Sequence, residues 1–207
     1  MGTANNLNRD SLHLMDSAIE LLCQQGFIFV DLPWVVQRQY SDATRPPTAQ
    51  DFETPMGSLV ASGEQSFLQM WVRGELPPMQ KGALGYVGWT PCFRDEPVLD
   101  QLHQTMFLKV EWFVPETFSR SPDLPKLMEI QMGVFRNLAT HYLSTSYREV
   151  KNALTIVKMD NGSYDINACG IEIGSYGRRG FDSHSYAYGT GLALPRFTTA
   201  LASMVKK

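Results

Sequence analysis

The chain has no apolar run of the roughly 18 residues that a membrane-spanning helix needs, and its first ten residues contain no apolar segment of the kind that marks a secretory signal. Gly2 is not followed by the Ser or Thr of a myristoylation site, because Asn6 stands there. Cysteine is scarce: Cys23, Cys92 and Cys169 are odd in number, far apart and without metal-knuckle spacing. Reduced thiols in a cytoplasmic protein are therefore expected. Charge of one sign is lacking too. With 18 Lys and Arg against 21 Asp and Glu the net charge is −3, which argues against a generic nucleic-acid coat. Arg178-Arg179 and Lys206-Lys207 are the adjacent basic pairs, and a solvated surface is the simpler reading of each. There is no Walker A loop, no dinucleotide fingerprint, no Gly-x-Ser-x-Gly elbow, no zinc spacing and no internal repeat.

What is present is an ordinary globular composition, 43% hydrophobic, over 207 residues. A chain of this size buries about 70% of its unfolded surface, so it needs no disulfide or metal staple. Residues 11–25 carry Leu12, Met15, Ile19 and Leu22 on one helical stripe, with Leu14, Ala18 and Leu21 beside it. Asp10 or Ser11 can cap the start, and Gly26 can supply a left-handed stop. A strand-like run, residues 27–32, then ends at Pro33. Residues 37–54 are polar, contain Pro46-Pro47 and read as a long loop. Residues 58–72 read as strand-like or mixed. Residues 85–93 and 105–114 read as two strands of an antiparallel hairpin around a charged loop. A long helix is expected over residues 123–144, with Met128, Met132, Phe135, Ala139 and Tyr142 as its apolar stripe. Residues 153–159 and 164–173 read as strands joined at Asn161-Gly162, followed by Gly-rich material over 174–180. A last helix begins near Pro195, with Phe197, Ala200, Leu201 and Met204 on one face. The pattern implies an α+β fold, an antiparallel sheet with helices packed on it.

Chemistry-bearing residues gather in three places. In Phe93-Arg94-Asp95-Glu96, Arg94 and Glu96 lie two apart and share a face. Phe107, Lys109 and Glu111 do the same on the partner strand. This is either an anion site beside an aromatic platform or an Arg–Glu pair on a solvated face. In Gly189-Thr190-Gly191-Leu192-Ala193-Leu194-Pro195-Arg196 a strand runs into a helix, and Arg196 opposes the helix dipole unless an anion is present. Close helix–sheet packing is the competing reading. Glu64 follows Ser62-Gly63, and Glu172 lies between two isoleucines, where a carboxylate pairs with an arginine or binds a cation. His13, His103, His141 and His184 are scattered.

These pieces, in this order, resemble the catalytic core of class II aminoacyl-tRNA synthetases. A helix, a strand and Pro33 resemble the first motif, over about residues 11–33. Phe93-Arg94-Asp95-Glu96, a loop, His103 and Phe107 resemble the second, over about 90–113. The spaced Gly189, Gly191, Ala193, Pro195 and Arg196 resemble the third, over about 186–205. Ser62-Gly63-Glu64 resembles a loop of the seryl and prolyl members, Thr90-Pro91-Cys92-Phe93-Arg94 and Lys109-Val110-Glu111 lean slightly to the seryl type, and Cys92-Phe93-Arg94-Asp95-Glu96 is equally reminiscent of aspartyl enzymes. Ala193 replaces a glycine, Pro195 an acid, and Asn167 stands where many relatives carry Glu.

The resemblance implies one catalytic-core domain over residues 1–207, of the kind shared with biotin ligases, without an anticodon-binding domain. It implies ATP-dependent activation of an amino acid to an aminoacyl-adenylate with release of pyrophosphate. Transfer to tRNA or another acceptor, such as a carrier protein, would follow. The alternative it leaves is a non-catalytic paralogue that regulates or senses a ligand. ATP and Mg²⁺ are the implied cofactors. By the resemblance Arg94 and Arg196 are catalytic: Arg94 would hold the α-phosphate, and Arg196 would meet the γ-phosphate. Glu96 would contact the adenine amino group, Phe107 and Arg196 would sandwich the ring, and His103 would approach the outer phosphates. Gly189 and Gly191 would border the ATP. Glu64 would take the substrate's ammonium group, with Glu111 also on the amino-acid side. Glu172 would ligate Mg²⁺, with Ser175 nearby. A homodimer through the first motif's helix and strand is implied as well.

Overall fold

The computed structural model describes residues 8–45, 50–116, 123–143, 150 and 152–205. Gly2, Asn6, Pro46, Pro47, Ser144 and the Lys206-Lys207 pair lie outside the described residues.

Helix α1 (Arg9–Gln24) starts where the Asn8 side chain accepts a hydrogen bond from the Ser11 N–H at 2.8 Å. The cap thus lies two residues before Asp10 and three before Ser11. Its buried face is Leu14, Met15, Ala18 and Leu22, while Leu12 is exposed. Gly26, at φ +99°, takes the left-handed turn that releases the chain into strand β1 (Phe27–Phe29). β1 runs parallel to β5 (Gly85–Phe93). β5 forms the expected antiparallel hairpin with β6 (Met106–Pro115). The sheet continues with β7 (Leu154–Lys158), β8 (Tyr164–Ala168), β9 (Ile171–Phe181) and β10 (His184–Leu194). The order of its seven strands is β1-β5-β6-β10-β9-β8-β7. It is therefore mixed rather than wholly antiparallel, because the segment between β1 and β5 crosses back to the same end.

One sheet face is covered by α1, α4 (Leu124–Leu143) and the last helix, α5 (Arg196–Val205). The main core lies between them, around Leu22, Trp112, Phe135, Tyr176 and Phe197. α4 buries Met128, Met132, Phe135 and Ala139 as its spacing predicts, but Tyr142 is exposed. On the other face the crossover builds a second, smaller cluster. Residues 37–54 are not a bare loop: they contain α2 (Arg38–Asp42) and β3 (Glu53–Thr54). β3 joins β2 (Val35–Val36) and β4 (Gly57–Leu59) in a small sheet of order β2-β4-β3.

Residues 63–72 form a helix, α3 (Gly63–Val72), where strand-like or mixed material was expected. Every residue from Gly63 to Gln69 is buried, so no polar stripe reveals the helical period. The stretch 164–173 is likewise two strands, not one. Cys169 and Gly170 both have positive φ, 51° and 82°, as a two-residue hairpin turn requires. The Gly-rich residues 174–180 belong to β9. Gly174 and Gly177 make room for tyrosines: a Cβ on Gly177 would come 2.7 Å from the Tyr188 hydroxyl.

A bulge between Thr190 and Leu192 interrupts the β10–β6 ladder. Gln131, fully buried on α4, reaches it. Its Nε2 donates to the Gly191 carbonyl at 2.8 Å, and its Oε1 accepts from Trp112 Nε1 at 3.2 Å. Gln131→Leu would leave a buried N–H and a buried C=O unpaired. We expect a loss of about 2–4 kcal/mol in urea unfolding; an unchanged midpoint would contradict this role.

Candidate active site

Strand alternation sorts the residues around the open face. On β6, Leu108, Val110 and Trp112 point into the main core, so Phe107, Lys109 and Glu111 point the other way. On β10, Ala187 and Gly189 face the core, and Tyr186, Tyr188 and Thr190 face out. The bulge then sets Ala193 opposite Lys109. With the N-terminal turn of α3 as a side wall, these strands enclose a cavity of about 710 Å³. Its lining includes Glu64, Arg94, Glu96, Phe107, Lys109, Glu172, Ser175, Arg179, Tyr188 and Arg196.

At one end of the cavity Arg94 Nε donates to the Ala61 carbonyl at 3.1 Å, and its guanidinium lies 5.0 Å from the Phe107 ring centre. Arg196 Nη1 meets Glu172 Oε2 at 3.2 Å. Asp165 and Ser175 are cross-strand partners beside Glu172. Burial, with Glu172 nearby, holds the Asp165 carboxyl above its usual range. Asn167, paired across the strands with Glu172, has its Oδ1 buried with no hydrogen-bond partner among the described residues. No cluster of three or more His, Cys, Asp or Glu side chains suited to a metal occurs among the described residues. Mg²⁺ does not need one, since it is held by one or two carboxylates plus substrate phosphates. Glu172 with the oxygens of Asn167 and Ser175 fits that description.

At the inner end two carboxylates are buried. Glu111 accepts from Lys109 Nζ and Ser62 Oγ, both at 2.6 Å, and from the Gly63 N–H. Burial pushes Glu111 up, but the Lys109 ammonium and these hydrogen bonds outweigh it and hold the carboxyl below its usual range. Glu64 accepts from Arg179 Nη1 at 2.5 Å and from Tyr186 Oη at 2.9 Å. Here burial prevails over Arg179, and the carboxyl is raised. Cys92, under the same floor, is pushed up to about 11 by burial, as expected of an inert thiol.

The fold thus brings Arg94, Glu96, Phe107, Glu64, Glu172, Ser175 and Arg196 to one cavity. It does not bring His103, whose Nδ1 lies 2.9 Å from Asp100 Oδ1 in the β5–β6 loop. Gly189 and Gly191 face the core: a Cβ on Gly189 would run into Trp112 and Tyr176, and one on Gly191 into Leu22 and Val110. Glu111 lies beneath the cavity, behind Lys109 and Ser62. Arg179 is a correction to the solvated-pair reading. Arg178 is exposed, but Arg179 turns into the cavity and pairs with Glu64. The alternation of β9 carried that signal, since Arg179 shares a face with Ser175.

Neither a protein-family model nor a curated protein sequence matches the chain. Solved structures do. The seryl-tRNA synthetase of Pyrococcus horikoshii complexed with ATP matches with TM-score 0.64 and 20% identity, over 91% of this chain and 49% of that one. A pyrrolysyl-tRNA synthetase from Desulfitobacterium hafniense matches with TM-score 0.66 and 14% identity, over 95% and 73%. The cytoplasmic serine-tRNA ligase of Naegleria fowleri in complex with AMP matches with TM-score 0.58 and 16% identity, over 94% and 49%. The fold is that of the class II aminoacyl-tRNA synthetase catalytic core. The chain spans about half the length of the seryl enzymes it matches. The open face of the synthetase-like sheet carries the cavity, and the helical layer lies behind it.

The depressed carboxyl of Glu111 sets a pH dependence of stability. Glu111, depressed in the folded protein, stabilises the fold above the ordinary carboxyl value of 4.5. That contribution is lost as pH falls through its lower folded value. Glu111→Gln should cost about 3–5 kcal/mol at pH 7, since Lys109 loses its partner. The gap to the parent should narrow by pH 3 in denaturant titrations. A gap independent of pH would contradict the ionised pair.

Proposed function

We propose that the chain activates an amino acid with ATP, giving an aminoacyl-adenylate and pyrophosphate. A carboxylate oxygen of the amino acid attacks the α-phosphorus in line, and the bond to the pyrophosphate oxygen breaks. Such a reaction needs positioning and charge stabilisation rather than a protein nucleophile. The observation that carries this reading is the convergence of Arg94, Phe107, Glu172 and Arg196 on one cavity of about 710 Å³. Arg94 holds the α-phosphate and offsets the charge that builds on it. Phe107 and Arg196 take the adenine between them, Glu96 receives its amino group, and Arg196 extends to the γ-phosphate. Glu172, with Ser175 and Asn167, would hold Mg²⁺, and the bound ion would supply charge neutralisation beside the phosphates. Glu64 takes the ammonium group of the amino acid, and Glu111 acts from behind by fixing Lys109 and the start of α3.

The acceptor is tRNA or another nucleophile such as a carrier protein. No helix among the described residues is long and apolar enough to cross a membrane, and Cys23, Cys92 and Cys169 are free thiols, in keeping with a reducing cytoplasm. Leu12, Phe29 and Trp34 are exposed on α1, on the edge strand β1 and just after it. This supports a homodimer through that surface. Ala193 and Pro195 favour the second reading, a non-catalytic subunit that binds the same ligands.

Pyrophosphate chemistry separates the two. ATP–pyrophosphate exchange with Mg²⁺ and pooled amino acids should respond to one pool, and Arg94→Ala should lower it at least ~100-fold. Folded protein that binds ATP yet gives no exchange would favour the regulatory reading. Phe107→Ala should weaken ATP binding, measured by calorimetry, by about 1–3 kcal/mol. Unchanged affinity would remove the ring from the adenine site.

A further inference from the structure

We propose that the inner end of the cavity selects an amino acid with a side-chain carboxylate, and that Arg179 is the residue that receives it. The proposal rests on the amino-acid activation above and names its substrate class. Its basis is which charges the cavity presents. Both inner carboxylates lie behind cations: the side chains of Glu64 and Glu111 are 5% and 4% exposed, those of Arg179 and Lys109 37% and 14%. A ligand entering from the nucleotide end therefore meets a guanidinium and an ammonium group first.

Arg179 is also built to bind. Its Nη1 is spent on Glu64, and its other N–H groups meet no acceptor among the described residues. A guanidinium carries five donors in a planar fork that matches a carboxylate. The fork is fixed in place. Glu64 holds its edge, and the Tyr188 ring lies beneath it, 4.3 Å from the guanidinium carbon to the ring centre. Tyr188 in turn lies across Gly177, where any side chain would collide with its hydroxyl. Tyr186 Oη fixes Glu64 from the other side. A group this constrained is preorganised for its ligand.

Glu64 and Arg179 together read a zwitterion with an extra acid. Each Glu64 oxygen accepts one hydrogen bond and keeps a lone pair for the ammonium group. Beside it Arg179 takes the side-chain carboxylate, while the α-carboxylate is left for the phosphorus. A neutral side chain would desolvate Arg179 without replacing its water, and such sites reject analogues steeply.

The test measures binding and turnover separately. Aspartate, glutamate, serine, alanine and lysine are titrated calorimetrically into the full chain saturated with a non-hydrolysable ATP analogue and Mg²⁺. The same five are then assayed by ATP–pyrophosphate exchange. We expect aspartate or glutamate to bind at least ~100-fold tighter than the other three. Arg179→Gln should abolish that preference, and Arg179→Lys should restore part of it. If Arg179→Gln does not fold with Glu64 unpaired, the parent's ranking and Arg179→Lys still decide. Serine, alanine or lysine binding as tightly as the acidic pair, no binding of either acidic ligand, or variants that keep the parent's preference would each overturn the proposal. Dicarboxylate binding without exchange would uphold the selectivity and remove the activation reading. Exchange with a neutral amino acid would do the reverse.

Discussion

Glu111 is the constraint on which the site depends. It sits on a central strand, faces away from the main core, and is almost wholly buried. An ionised carboxylate there is tolerable only with its hydrogen bonds made. Lys109, Ser62 and the Gly63 N–H make them. Two of these donors belong to the turn that starts α3, so satisfying the charge docks that helix against the sheet. Gly63 suits the contact, because a Cβ there would come 3.0 Å from Glu111 Oε2 and press on the carboxylate. Docking α3 in turn places Glu64 opposite Arg179 and sets the Ala61 carbonyl where Arg94 holds it. One buried charge thus links both ends of the cavity.

The back of the sheet supplies the other half of the geometry. Trp112 and Tyr176 stack below β10, with ring centres 5.9 Å apart, and Gly189 lets the strand lie on them. The bulge after Thr190 then turns the strand so that Ala193 faces the cavity and Arg196 opens α5 at its rim. Gln131 satisfies the carbonyl that the bulge exposes. The glycines of this segment therefore act on the packing behind the sheet, and the arginine that follows them acts in front of it.

Much of this was legible in the sequence, and the reasons for the rest are physical. The β5–β6 hairpin, α1 and α4 have strong periodicity and clear stops, and the structure follows them closely. The three motifs led to the correct fold class because their order along the chain fixes how the strands meet. α3 was obscured because a helix buried on all sides has no polar stripe. Arg179 was obscured because two adjacent arginines look like solvent-exposed charge. Only the strand alternation of β9, interrupted in the sequence by its glycines, separates the exposed Arg178 from the enclosed Arg179. Gly189 and Gly191 were read as ligand-facing because a glycine's spacing does not say which side of the strand needs the room. His103 carries no such ambiguity in position, but its tie to Asp100 depends on the shape of a loop.

The proposed activity requires that Arg94, Phe107 and Arg196 share one nucleotide, with the end of the cavity beside Arg179 left for the amino acid. A crystal structure with ATP and Mg²⁺ bound tests it most directly. Adenine should lie against the Phe107 ring with Arg196 on its other face, and the α-phosphate within hydrogen-bond reach of Arg94. The inner end should stay open beside Arg179. A nucleotide seated elsewhere, or one whose ring and phosphates avoid these three side chains, would contradict a nucleotide site here.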